Sequence, residues 1–513
     1  MLPVSHPDAQ QPEATKSEAT LREAPRLEAV LREVVERLAP LDRTPCSPGE
    51  RAAAQWLHER LRLLEGVAVQ LEPEPSWGTF PPTATALGLA GVLAALLTLR
   101  GRPRLGALLS AATFAGILDE AHNGPRLLRR LIRRRRPTLN LIARLGHPHA
   151  PRTLVVIAHH DAPQTGLVFD QALQIKLHQL APQLLERVKT PLPQWWFGLS
   201  GPLATFVGSL LAVLASLFET GGPRVPAREG SLFQMGGPRA RARERNVFEL
   251  GGPRVRACAR ANARLARLGA RAGLLAGLLG TALVADIWRN DTVRGANDNL
   301  SGVSSLVALA ELVSREPIPG LRLLLVSCGA EETLQDGIRA FISSHRHELD
   351  TASTVFVNLD TVASPHLVLL EAEGPVRMEP YHGPWLRDLL ADRAAALHIP
   401  LHRGYRARAS TDSVIPSRAG YPTATLASMA DHRAPANYHL PTDVPANLHY
   451  PTLMDAVRLV HDVARTLASP GRSPHDPAQA IDPAQASDPA QAIDPSSRPA
   501  SLSPSSSRAS SIT

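Results

Sequence analysis

Apolar positions recur along this chain in two rhythms. Leu27, Val30, Leu31, Val34, Val35 and Leu38 fall at helical spacing and predict an amphipathic helix. Ser47-Pro48-Gly49-Glu50 supplies a cap, a proline at the first helical position and an acidic first turn, opening a second helix that runs to Leu64. Gly66 stops it, and Val67–Leu71 reads as a strand. Short apolar runs mark further strands at 139–144, 153–158, 321–326, 354–359, 366–371 and 423–426, and from 301 onward they alternate with helical stretches at 301–314, 336–348, 382–397 and 451–467. Such alternation predicts an α/β fold, a three-layer mixed β-sheet flanked by helices. The short turn through Gly146–Pro151 predicts that 139–144 and 153–158 are antiparallel neighbours.

Longer apolar runs interrupt this body. Ala84–Leu99 and Leu105–Leu118 lie in an insert over 83–118, joined by Arg100–Arg104. Each is short of the ~20 residues that a membrane span needs, so a buried helical hairpin is the alternative to a membrane one. A second insert over 162–294 holds Trp195–Phe218, with a Trp pair at one end, and Ala272–Ile287, followed by Trp288. These lengths and flanks predict an inserted transmembrane hairpin over 195–218 and 272–288. Between its arms, 219–271 contains three drifting fifteen-residue copies that begin Gly-Gly-Pro-Arg at 221, 236 and 251. Too few and too rich in Gly and Pro for a solenoid, they predict an exposed flexible loop. Arg126–Arg136 has seven Arg in eleven residues and reads as a lipid-headgroup-binding stretch.

Charge sharpens this division. The net charge is +8, and 219–271 alone holds twelve Arg against four acids, so the other 43 basic and 43 acidic residues cancel. A neutral body argues against nucleic acid as a specific partner. Cys46, Cys258 and Cys328 are too few and too scattered for a disulfide framework or a zinc finger. Residues 1–24 are polar, lack an apolar leader stretch and are expected to be a disordered tail, as is 469–513 with its Asp-Pro-Ala-Gln-Ala repeats and Ser/Pro/Arg end. The folded domain is then 25–468, carrying both inserts. The first hairpin enters at the start of strand 139–144 and the second insert leaves just after Asp161, so both are expected on the catalytic face, as a four-helix membrane bundle near the mouth of the site. An integral protein of a bacterial-type inner membrane is implied, with the side of the catalytic domain left open by the Lys/Arg count.

The chemistry gathers at strand ends. Strand 153–158 runs into His159-His160-Asp161, strand 321–326 leads to Glu331-Glu332, and strand 354–359 ends at Asp360. Gly295-Ala-Asn-Asp-Asn-Leu-Ser-Gly302 puts Asp298 in a loop that opens a helix near Ser301, and Asn437-Tyr438-His439-Leu-Pro-Thr-Asp443 follows later. Open α/β sheets build their sites at such carboxyl ends. Asp298 alone would be a helix cap, and Glu331-Glu332 alone two solvated side chains. Together, two His and several carboxylates suit a pair of zinc ions, with one carboxylate bridging and a spare Glu as base. His147, His149, His160, His432 and His449 lack such company and are not expected to be ligands.

This order of motifs, H-x-D, G-x-x-D-N-x-x-G, E-E, L-D and Y-H-x-P-x-D, resembles the M28 family of zinc aminopeptidases, over roughly 27–75 and 137–467. The resemblance implies a zinc-exopeptidase-like sheet with two Zn²⁺ per chain held by His159, Asp298, Glu332, Asp360 and His439. Asp298 would bridge, Glu331 would be the general base, and Asp161 would orient His159 through its other ring nitrogen. Ser410-Thr411-Asp412 resembles the family's S-D element. The function implied is a membrane-associated zinc-dependent aminopeptidase that hydrolyses N-terminal residues of peptides through a dinuclear metal-activated water. A glutaminyl-cyclase-like acyltransferase on the same scaffold, a non-catalytic membrane receptor or scaffold, and an anionic-lipid binder using the Arg loop are the alternatives; oligomeric state is left open.

Overall fold

A computed structural model of the chain describes residues 12–190, 196–220 and 253–469. Helix α1 (Pro12–Leu38) begins upstream of the predicted start at Leu27, inside the segment expected as a disordered tail, and buries Leu31, Val34, Val35 and Leu38. In α2 (Pro48–Leu61), Ser47 Oγ accepts the Glu50 N–H at 3.1 Å, so the cap read from the sequence is formed. Then follow β1 (Ala68–Ser76), α3 (Pro81–Leu99), α4 (Pro103–Ala121), α5 (Leu127–Ile132), β2 (Arg136–Gly146) and β3 (Arg152–His159). The second insert contributes α6 (Ala172–Leu180), α7 (Pro182–Glu186), α8 (Trp196–Thr220) and α9 (Pro253–Arg289). The remainder is α10 (Ser301–Arg315), β4 (Leu321–Cys328), α11 (Asp336–His345), β5 (Thr354–Leu359), β6 (His366–Glu373), β7 (Glu379–Pro380), α12 (Pro384–Ala396), β8 (Leu401–Ala407), α13 (Val414–Arg418), β9 (Thr423–Met429) and α14 (Tyr450–Ala468).

Among the described residues nine strands form one mixed sheet in the order β1-β2-β4-β3-β5-β9-β6-β7, with β8 beside β6. The core strands β4, β3, β5 and β9 are parallel, and β1 and β2 add antiparallel at one side. One expectation fails here: β2 and β3 run in opposite directions but are not neighbours, because β4 lies between them. A short turn favours local pairing, yet β3 is apolar on both faces and is satisfied only by a parallel partner on each side. Gly146, at φ 76°, carries the chain past that partner; a Cβ there would stand 2.2 Å from the Leu321 carbonyl oxygen.

Alternate residues of each strand serve opposite layers. Leu154, Val156, Leu323 and Leu325 pack with α1, α2, α10, α12 and α14, while Val155, Ile157, Leu324 and Val326 pack with Ile338, Phe341 and Ile342 of α11. A helix–sheet–helix sandwich results, as the alternation predicted.

Helices α3, α4, α8 and α9 pack together as a four-helix bundle. Among the described residues three stretches are long and apolar enough, by length and composition, to cross a membrane: Pro81–Leu99, Gly198–Ser216 and Arg260–Arg289. Small residues let α8 and α9 approach closely: a Cβ on Gly201 would lie 2.7 Å from the Gly277 nitrogen, and one on Gly208 2.8 Å from the Ala266 oxygen. Thr98 and Ser209 share a hydrogen bond of 2.7 Å between α3 and α8. Outward, Leu108 (70 % exposed) and Leu275 (69 % exposed) stand with Leu93, Leu214 and Leu279 on an apolar exterior.

Two expectations about the inserts need correction. The basic segment 219–271 is not a loop throughout, since α9 already begins at Pro253 and takes in most of the third repeat copy. After its Gly-Gly-Pro start nine of that copy's twelve residues are Ala, Arg or Leu, all strong helix formers. The first two copies lie outside the described residues, as do 1–11 and 470–513 of the two tails. The arginine run is not wholly a surface for headgroups either: Arg126 is buried against Asp336 and Arg129 against Glu120, and Arg129 also donates to the Thr333 carbonyl. These pairs anchor the first insert to the turn that precedes α11.

Candidate metal centre

The parallel strands place the predicted residues at one edge. His159 is the last residue of β3, Glu331 and Glu332 follow β4 in a 3₁₀ turn, Asp360 follows β5, and His439 lies in the loop beyond β9. The turn Ala296–Leu300 carries Asp298 to the same edge immediately before α10. Asp298 is not the cap of that helix; its carboxylate points into the cluster instead. Asp298 Oδ1 lies 3.3 Å from His159 Nε2, and Oδ2 lies 3.1 Å from His439 Nε2. Ligand atoms of His159, Asp298 and Asp360 fall within 4.8 Å of one another, as do those of Asp298, Glu332 and His439, and of His159, Glu331 and Glu332. His160 turns away to bond Ser327 Oγ at 2.9 Å, as expected of a non-ligand.

Backbone hydrogen bonds hold this geometry. Asp161 Oδ1 accepts the Glu331 N–H at 3.0 Å and Oδ2 the Glu332 N–H at 2.9 Å, while Oδ1 also lies 3.4 Å from His159 Nδ1. Asn299 Oδ1 accepts from Gly302 and Thr361, and its Nδ2 donates to the Leu359 carbonyl, stitching the Asp298 turn to the end of β5. Ala330 (φ 54°), Thr361 (φ 54°) and His439 (φ 56°) sit in the left-handed region, a cost that surrounding structure must impose and that concentrates at functional sites.

Three further residues escaped the reading of the sequence. Arg43, fully buried, donates to the carbonyls of Leu38, His160, Arg294 and Gly295, joining α1 to both ligand-bearing loops. Glu50 accepts from the Ala330 and Cys46 N–H groups and from Thr138 Oγ1, all at 2.8 Å, and so fixes the approach to Glu331. Asp443 accepts the amides of Asn297 and Asp298. The partners of Arg43 are carbonyls, which every residue has, so only the Ser47…Glu50 spacing and the quoted Tyr-His-Leu-Pro-Thr-Asp run carried any signal.

The electrostatics follow from burial. Desolvation, reinforced by neighbouring acids, raises Glu331 and Glu332 well above the carboxylate range and pushes Asp360 up to about 7. Asp412, buried nearby, is likewise pushed up to about 7 by burial with Asp161 and Asp360, against the pull of His159. Burial alone would lower His159, but its contacts with Asp161 and Asp298 outweigh that and hold it well above the imidazole value. Burial also works against ionised Asp298, yet the two imidazoles keep its pKa low. So many buried carboxylates are costly unless a countercharge sits among them. The donor set, imidazole nitrogens and carboxylates within reach of shared points, fits zinc.

Residues 282–464 match the sequence profile of Peptidase family M28, a segment that contains Asp298, Glu331, Glu332, Asp360 and His439 but begins after His159 and Asp161. No curated protein matches the chain. Among solved structures, the chain is similar to the LapA aminopeptidase of Legionella pneumophila at 9 % identity, covering 92 % of this chain and 80 % of that one with a TM-score of 0.46. It is similar to an aminopeptidase from Aneurinibacillus sp. strain AM-1 at 12 % identity, covering 87 % and 95 %, TM-score 0.43. A glutaminyl cyclase from Porphyromonas gingivalis is similar at 14 % identity, covering 85 % and 96 %, TM-score 0.42.

Proposed function

We propose that this protein is a zinc-dependent aminopeptidase held in a membrane by its helical bundle, with two zinc ions at the centre. The observation that carries the reading is the placement of one carboxylate, Asp298, between two imidazoles, one on each oxygen. His159 and Asp360 would hold one ion, Glu332 and His439 the other, and Asp298 both. Zinc held there supplies Lewis-acid polarisation of a carbonyl and a lowered water pKa.

The chain's own residues do the rest. Gln335 Nε2 holds Glu331 Oε1 at 2.6 Å, which leaves Oε2 turned into the cluster, 4.0 Å from His159 Nε2. Buried beside the cluster, Glu331 takes a proton from water and returns it to the leaving amine. Asp161 fixes both Glu backbones and faces the remote nitrogen of His159, so the three cannot drift independently.

The test is to purify the full chain in detergent, count metals by mass spectrometry and assay aminoacyl reporter substrates with and without chelator. Two zinc ions per chain and activity that a chelator removes are expected; a metal-free active protein ends the reading. Asp298, Glu332 and His439 form a three-ligand set by themselves, which favours a one-zinc acyltransferase as the second reading. A stoichiometry of one, with pyroglutamyl product from N-terminal glutamine, would select it.

A further inference from the structure

The cavity over the acidic centre does not stop at the sheet edge. It has a volume of about 400 Å³ and is lined both by His159, Asp298, Glu331 and Glu332 and by residues of the bundle. That wall is contributed by the inserts alone: Ala84 from α3, Ile117 from α4, Pro202 from α8, and Leu283, Val284 and Ile287 from α9. The join between wall and centre is specific. Asp286 of α9 accepts the Leu167 N–H at 2.7 Å, and two residues later the Phe169 ring lies 4.2 Å from the ring of His439. Bundle and centre therefore bound one space.

A cavity of this size suits a ligand of several residues. Two parts of its lining ask for different chemistry: an apolar wall gains from apolar side chains, in proportion to the area they remove from water, and the metal-holding centre takes the terminal amine. We infer that the substrate is a peptide whose residues after a free amino terminus are apolar, its terminus at the acidic centre and its following side chains against α3, α4, α8 and α9. The inference rests on the peptidase reading above and adds what the bundle contributes to it, namely substrate selection.

The experiment uses the full chain in detergent, loaded with zinc, and two peptides with the same N-terminal leucine. One continues in alanine, leucine and valine, the other in serine, glycine and glutamine. The expected result is a kcat/KM at least about tenfold higher for the apolar peptide, and a ratio that collapses to within about twofold in Val284→Trp, which fills the wall. Equal rates on the two peptides overturn the inference and leave the peptidase reading standing; cleavage of neither removes that reading and the inference with it. A binding measurement covers failure of the variant to fold. In Glu331→Gln, an apolar peptide with a diazirine at its third residue should crosslink to α3 or α9. Crosslinks confined to Tyr405–Arg408, on the facing side of the cavity, would overturn the inference.

Discussion

Asp443 grips Asp298 by its backbone and not by its side chain. Its Oδ2 accepts the Asp298 N–H at 3.1 Å and its Oδ1 the neighbouring Asn297 N–H at 2.7 Å, across 145 positions of sequence. The Asp298 carboxylate is thereby left free to face both imidazoles. Asp443→Ala should orphan two buried amides, cost about 1–3 kcal/mol of stability, and weaken zinc about 10–100-fold. Competition with a chromophoric chelator reads the second effect, and unchanged affinity would show that the turn holds itself.

Arg43 makes a parallel case from the other side. Replacing it with Met keeps much of the apolar stem but takes the guanidinium from the His160 and Arg294 carbonyls, while those of Leu38 and Gly295 keep the Leu41 and Leu300 N–H groups. A loss of about 3 kcal/mol is expected, seen as a lower Tm in detergent, with part of the loss recovered by saturating zinc because metal binding stabilises the folded state. A Tm equal to wild type would mean that water replaces the guanidinium.

Glu331→Gln tests the assigned base. The amide can still bond Gln335 but cannot accept a proton, so kcat should fall about 10²–10⁴-fold, with the zinc content unchanged. Undiminished hydrolysis would remove Glu331 from this role.

Glu373 offers a pH test away from the centre. Its Oε2 accepts from Tyr381 Oη, Thr411 N and Thr411 Oγ1, yet burial pushes its pKa from 4.5 up to about 8. A carboxyl raised in the folded state favours folding while protonated, so its contribution is full below about 4.5 and is lost as pH climbs through about 8. Glu373→Gln stays neutral throughout. Wild-type Tm should therefore fall relative to the variant between pH 5 and pH 8, and parallel curves would contradict the assignment.

Much of the α/β body was legible because its signals are local. Strand runs ending in His159, Glu331 and Asp360 announce both the sheet and its active edge, and the structure brings those residues together with Asp298 and His439. Sheet order was not legible, since nothing in 139–158 tells that β4 will enter between β2 and β3. The arginine run misled for a related reason: whether Arg126 and Arg129 face lipid or protein depends on Asp336 and Glu120, one of them distant in sequence. Arg43 was invisible because it reads backbone, and Pro253 opened a helix where Gly-Gly-Pro had suggested only a loop.

The two inserts leave from, and return to, the same rim of the sheet, each giving two helices to the bundle. Every excursion is thus a round trip. Any bilayer that holds the bundle must leave β1 through β9 and both ligand-bearing loops in a single aqueous compartment, so the topology of the whole chain reduces to one binary question, which a single accessibility probe on an exposed residue of α14 would answer.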